Sequence, residues 1–183
     1  MNLFGEVYSL STENHGIVTA AAARELRVRS KDLLRWVKSG RLVRVGFGVY
    51  KATQYPSSSE DQFAIAVEEV GLAAYLYGES VLALHGLTAT NANYIHVAVS
   101  GRCRRNLPRN YIIWKGVKGY CPVNVRGIRT QAVADAIRSC KGRLMADRLG
   151  EAVFEGYRQG LLEKSACDEI IKELNNDPEA AKE

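Results

Sequence analysis

The sequence predicts an α+β protein in two parts, and three observations carry that expectation. Residues 1–56 show short helical patterns that end in two apolar strand runs around a glycine turn. Tyr55-Pro56-Ser57-Ser58-Ser59 is a breaker-rich stretch. Beyond it, over 57–183, longer helical patterns alternate with apolar strand runs, and no internal repeat is seen.

In the first part, Leu3, Val7 and Leu10 recur at helical spacing, so Asn2 to Glu13 is read as a helix ended by His15-Gly16. Thr19 is a good N-cap for an alanine-rich helix over Ala20 to Leu26. Arg27-Val28-Arg29 is the turn, and Ser30 is the expected cap of a helix from Lys31 to Ser39. Gly40 stands where a left-handed C-cap is wanted. Arg41 to Val45 and Val49 to Lys51 read as strands joined by Gly46-Phe47-Gly48. Helix, helix, turn, helix, hairpin is the order of a winged helix-turn-helix.

In the second part, Ser59 is expected to cap a helix over Glu60 to Val70, and Ser80 one that runs to His85 and stops at Gly86. Tyr94 to Val99, Tyr111 to Lys115 and Val123 to Ile128 read as three strands of a small, mainly antiparallel sheet. Thr130 is expected to cap a helix over Gln131 to Arg138, followed by helices over Leu144 to Leu161 and Lys164 to Leu174. The polar tail from Asn175 to Glu183 is expected to fray.

Composition narrows the function. With 183 residues, 46% hydrophobic and 25% charged, the chain can bury a core without staples. It has no apolar run long enough for a membrane span and no basic-then-apolar leader, so a cytoplasmic protein with no membrane partner is expected. Cys103, Cys121, Cys140 and Cys167 form no CxxC pair and lie at no metal-ligand spacing, so they read as plain thiols. The net charge of +5 is unevenly spread: residues 1–56 carry +5, 57–99 carry −5, 100–130 carry +8 and 131–183 carry −3. Two basic segments split by an acidic one suggest two patches on a polyanion binder, unless the fold pairs them with the acidic segment.

The sharpest chemistry lies in the third helix. Lys31, Arg35 and Lys38 fall on one stripe, with Leu33, Leu34 and Val37 expected to face the core. A helix fits the DNA major groove, and Arg or Lys there can bond the acceptor edge of guanine. Arg29 and Ser30 at its start are placed to reach phosphate, and the hairpin brings Arg41, Arg44 and Lys51 beside the backbone with Phe47 at its tip. These nine residues are the expected DNA-binding set. A second basic surface is expected from Arg102, Arg104, Arg105, Arg109, Lys115, Lys118, Arg126 and Arg129, facing either a polyanion or an acidic protein.

Catalytic motifs are lacking: there is no GxGxxG, P-loop, HExxH or GxSxG. Ser80 and His85 lie five apart on a short helix and point in different directions, which favours Ser80 as a cap over a nucleophile. His96 reads as a structural or surface histidine and not a ligand, and Asp135, Asp147, Glu151 and Glu155 as helix-face carboxylates. No enzyme activity, metal or cofactor is expected.

Two blocks of residues resemble a known family. The first is Gly16-Ile17-Val18-Thr19 with the alanine-rich helix, then Leu34 to Tyr50 (LRWVKSGRLVRVGFGVY). The second is Tyr77 to Leu87 (YGESVLALHGL) with Ile95 to Val99 (IHVAV). In this order they resemble the AbiEi-type antitoxins of type IV bacterial toxin–antitoxin operons, systems of abortive infection and phage resistance, over roughly 16–130. The resemblance implies an N-terminal winged helix that represses its own operon at promoter repeats, as a monomer in solution that pairs on DNA. It further implies a C-terminal domain that counters a nucleotidyltransferase-like toxin, with or without direct contact. The alternatives are a winged-helix regulator that senses a ligand or protein partner, and an enzyme such as a nuclease targeted by its winged helix.

Overall fold

The computed structural model describes residues 3–91, 93–101, 103, 106–117, 119 and 121–175. The chain opens with α1 (Leu3–Thr12), β1 (Ile17–Thr19), α2 (Ala20–Glu25), α3 (Ser30–Lys38), β2 (Leu42–Gly46) and β3 (Val49–Ala52). Asn2, the expected first residue of α1, lies outside the described residues, as do 176–183 of the expected frayed tail.

The expected hairpin is present, but it is part of a three-stranded antiparallel sheet in the order β1-β3-β2. The added strand is β1, in which Ile17, Val18 and Thr19 pair with Lys51, Tyr50 and Val49. Thr19 nevertheless caps α2, its hydroxyl accepting from Ala22 N at 3.0 Å. Strand alternation then divides the small sheet between two cores. Val18, Tyr50 and Ala52 pack with Val7, Ala23, Leu33, Trp36 and Leu42 of the first part. Ile17 and Val49 point the other way and join the core of the second part.

The second part continues with α4 (Asp61–Val70), β4 (Ala74–Leu76), α5 (Glu79–His85), β5 (Ile95–Val99), β6 (Tyr111–Lys115), β7 (Val123–Val125) and β8 (Ile128–Thr130). It closes with α6 (Val133–Ser139), α7 (Ala146–Arg158) and α8 (Lys164–Asn175). The five strands are ordered β6-β5-β4-β8-β7. Two pairings are antiparallel, β4 with β5 and β7 with β8. Two are parallel, β4 with β8 and β5 with β6, so the sheet is mixed and the mainly antiparallel expectation is corrected. The overall class is α+β, as expected.

Three local corrections share a cause. The central strand β4 falls where no strand was expected. The expected strand over Val123 to Ile128 is instead two strands around a turn at Arg126-Gly127, both with positive φ. Thr130 ends β8 and does not cap a helix, and α6 begins at Val133. Each of these strands has three residues, too short for a two-residue period to be seen. The expected serine caps move too: α4 starts after Glu60 with no cap from Ser59, and α5 starts at Glu79, ahead of Ser80.

Helix α4 packs against all three strands of the small sheet and lies over β4, β5 and β8 of the large one. Its polar contacts are carboxylates. Asp61 pairs with Lys51 Nζ, both side chains almost fully buried at 12% and 8% exposed. Glu68 pairs with Arg129 at 3.1 Å and accepts from Asn14 Nδ2 at 3.4 Å. Glu69 accepts from Phe47 N at 3.1 Å and from the Tyr111 hydroxyl at 2.9 Å. Just before the helix, Glu60 pairs with Arg126 at 2.8 Å.

Burial alone raises the Asp61 carboxyl, but hydrogen bonds from Lys51 and from Ser58 outweigh it and bring it below its ordinary value. Asp61→Asn leaves the Lys51 ammonium buried opposite a neutral amide. At neutral pH the variant is expected to be roughly 3 kcal/mol less stable, read from chemical denaturation. The folded carboxyl titrates below 3.8, so its stabilisation is complete above that value and is lost as the pH falls through the lower one. The gap between wild type and variant should therefore close below pH of about 4. A gap that stays constant with acidification counts against the ion pair as its source.

Candidate nucleic-acid interface

Helix α3 is built to show one face. Asp32, Leu33 and Trp36 are buried, whereas Lys31, Leu34, Arg35 and Lys38 are exposed. Trp36 meets the Phe4 ring edge-on at 5.2 Å and anchors α3 to α1. The expected core face is corrected in one place: Leu34 points outward and Trp36 takes the inward position. Helical geometry requires this, because residue 34 shares its face with 31, 35 and 38.

Ser30 is also corrected. It is the first residue of α3 and exposed, with Arg29 at the cap position. The cap is made from inside the helix: Asp32 accepts from Arg29 N at 3.3 Å and from Arg29 Nε at 3.1 Å. Arg35 reaches the other Asp32 oxygen at 3.2 Å. One buried carboxylate thus steadies two guanidiniums whose side chains stay 67% and 69% exposed. The hydrogen bond from Arg29 and the neighbouring positive charges hold the Asp32 carboxyl below its usual range. Lys31 and Lys38 form no ion pair among the described residues.

The other expected DNA-contacting residues divide. Arg41 is exposed and lies over the Phe4 ring at 5.2 Å. Arg44 donates to the Gly46 carbonyl at 3.2 Å and lies over the Phe47 ring at 5.9 Å, at the outer end of the hairpin. Phe47 is 70% exposed, while its backbone N–H is held by Glu69. Lys51 is removed from the set. It lies on the face of β3 turned toward α4 and is committed to Asp61, with the Ser57 hydroxyl 3.2 Å away. Beside α3, an open groove is lined by Arg24, Arg27, Arg29 and Ser30. Arg24 and Arg27 were outside the expected set; their three-residue spacing on α2 and the turn was the signal that could have found them. Arg27 makes the turn itself in a left-handed conformation, φ 61.

The described members of the second basic surface lie in two separate places. Arg102, Arg104, Arg105 and Lys118 lie outside the described residues. Arg109 and Lys115 are exposed, before and at the end of β6. Arg126 and Arg129 belong to the β7–β8 hairpin, and β5 and β4 separate β8 from β6. Arg126 is spent on Glu60 and the Leu84 carbonyl. Arg129 is spent on Glu68 and the carbonyls of Ala74 and Gly71. These two arginines tie the large sheet to α4.

Of the residues considered for catalysis, Ser80 and His96 make contacts that tie elements together. The Ser80 hydroxyl accepts from His96 N at 2.8 Å, tying α5 to β5. The His96 ring is buried, accepts from Trp114 Nε1 at 3.3 Å, and lies 4.0 Å from Glu79. Burial lowers the His96 pKa despite Glu79, with the Arg143 charge acting in the same direction. Burial and the Arg126 charge likewise lower that of His85. Among the described residues no group of three or more His, Cys, Asp or Glu could hold a metal ion, and no helix is long and apolar enough to cross a membrane. No family model matches the chain, and none of the curated proteins matches it.

The hairpin's position depends on a glycine. A Cβ on Gly46 would stand 2.1 Å from Glu69 Oε1 and 2.6 Å from its Cγ. Gly46→Ala is expected to drive Glu69 off Phe47 N and Tyr111, at a cost of roughly 2 kcal/mol. Phe47→Ala, which spares that N–H, is expected to change stability by less than about 0.5 kcal/mol. Paired thermal melts measure both. An unchanged midpoint for Gly46→Ala removes Glu69 as the anchor of the hairpin.

Proposed function

We propose that this chain is a double-stranded DNA reader whose first part works as a winged helix-turn-helix. The observation that carries the reading is the outward face of α3, where Lys31, Arg35 and Lys38 stand together in solvent while Asp32 steadies Arg29 and Arg35. In this reading α3 enters the major groove, Arg35 reads a guanine edge, and Arg24, Arg27 and Arg29 meet the phosphates beside it. Arg41 and Arg44 follow the backbone along the hairpin, with Phe47 at its tip. Read with the resemblance to AbiEi-type antitoxins, the chain is a transcriptional autorepressor that binds its own promoter and counters a cognate nucleotidyltransferase-like toxin in the cytoplasm.

One contact also favours the second reading, a regulator whose C-terminal part senses a ligand or a protein. Glu69 bonds both the hairpin, through Phe47 N, and the edge strand β6, through Tyr111. A partner that shifted β6 would therefore be felt at the hairpin.

The test is binding to the DNA upstream of the chain's own gene, against a scrambled duplex, at several salt concentrations. Selective binding with a steep salt slope is expected. Arg35→Ala should weaken specific binding by about 1–3 kcal/mol and relax the preference at one base pair. Lys38→Ala should weaken both duplexes alike and lower the salt slope by about one. Weak binding, equal for the two duplexes, overturns DNA reading. Co-expression with the neighbouring gene then tests the antitoxin role: no rescue from a toxic product overturns it.

A further inference from the structure

The outward face of α3 carries one residue that neither charge nor core packing explains. Leu34 is 55% exposed and sits among Lys31, Arg35 and Lys38. The inner face of the helix is already filled by Leu33 and Trp36, which pack in the core of the first part. Exposed on this face, the Leu34 side chain adds little to the core of the first part, whereas the solvated face of an amphipathic helix is ordinarily polar.

We infer that Leu34 is a specificity-determining residue that contacts the 5-methyl group of a thymine in the major groove. The inference rests on the DNA reading proposed above. Lys31 and Lys38 are two helical turns apart, about 10.5 Å along the axis, a span of about three base pairs. Leu34 lies between them and next to Arg35, so it faces the base edges that the cations bring within reach. Among the groups displayed in the major groove, the hydrogen-bonding ones suit Arg35, and the only apolar one is the thymine methyl. A purely apolar protein partner is disfavoured. Covering Leu34 would strip water from three cations without compensation, whereas a duplex offers them phosphates and base acceptors at the same time.

The experiment begins with the full chain and a pool of random-sequence duplexes, from which bound duplexes are selected. Each thymine of the enriched motif is then replaced singly by uracil, which removes only the methyl group. Wild type is expected to lose about three- to fivefold in affinity at one or two adjacent positions. Leu34→Ala is expected to bind the thymine duplex correspondingly more weakly and to show no difference between thymine and uracil there. Its melting temperature and salt slope should match wild type, because the side chain is exposed and uncharged. An enriched motif in which no thymine is methyl-sensitive overturns the role of Leu34 and leaves DNA reading standing. Undiminished methyl discrimination by Leu34→Ala does the same. A pool that yields no enriched motif overturns both and makes this face a protein-docking surface.

Discussion

Helix α4 carries the interaction on which the rest of the structure depends. It brings Asp61, Glu68 and Glu69 into a nearly water-free layer between the two sheets. Each finds a partner from a different element: Lys51 on β3, Arg129 on β8, and the Phe47 N–H together with the Tyr111 hydroxyl. A buried carboxylate without a partner costs several kcal/mol, so the small sheet, the hairpin turn and the large sheet are held in one relative arrangement. Tyr111 records the same constraint, since burial and the bond to the Glu69 carboxylate push its phenol well above the usual range. The apolar contribution comes from Ile17 and Val49, which insert from the small sheet into the core shared with α4.

This layer explains the uneven charge of the chain. The −5 segment contains α4, and the basic segments before and after it supply Lys51, Arg126 and Arg129. Those three cations are neutralised where they stand. Among the described residues, the cations of α2, α3 and β2 have no comparable acidic layer, and Asp32 is the carboxylate that pairs with Arg29 and Arg35. Its effect is to steady Arg29 and Arg35 while leaving both in solvent. The exposed cations of α3, Lys31, Arg35 and Lys38, thus stand together on one face of that helix.

The longer elements were legible because they span enough residues for a period to show. Helices α1, α3, α4, α7 and α8 and strands β5 and β6 lie where the apolar spacing put them, within a few residues at the ends. Strands β1, β4, β7 and β8 have three residues each, and their existence depends on partners that are distant in sequence. Leu76 pairs with Thr130, and Ile17 with Lys51. Such pairings leave no local trace, which is also why the mixed order of the large sheet could not be read in advance. In the candidate interface, the basic stripe of α3 was legible for the same periodic reason, and the exposure of Leu34 follows from that same period, while the burial of Lys51 was not legible.

By itself the sequence determined the α+β class, the succession of the longer elements, the division of charge along the chain and the cationic stripe of α3. All of these follow from spacing and composition within short windows, where backbone geometry dictates which residues share a face. Only the tertiary structure decided which charges are spent. Lys38 and Lys51 are both lysines of the first part, yet one stands in solvent and the other is sealed against Asp61. Strand alternation turned Lys51 toward the place where α4 docks, and the docking of α4 depends on core contacts drawn from both sheets. Whether a cation is available to a partner is thus settled by long-range packing, and no local pattern contains it.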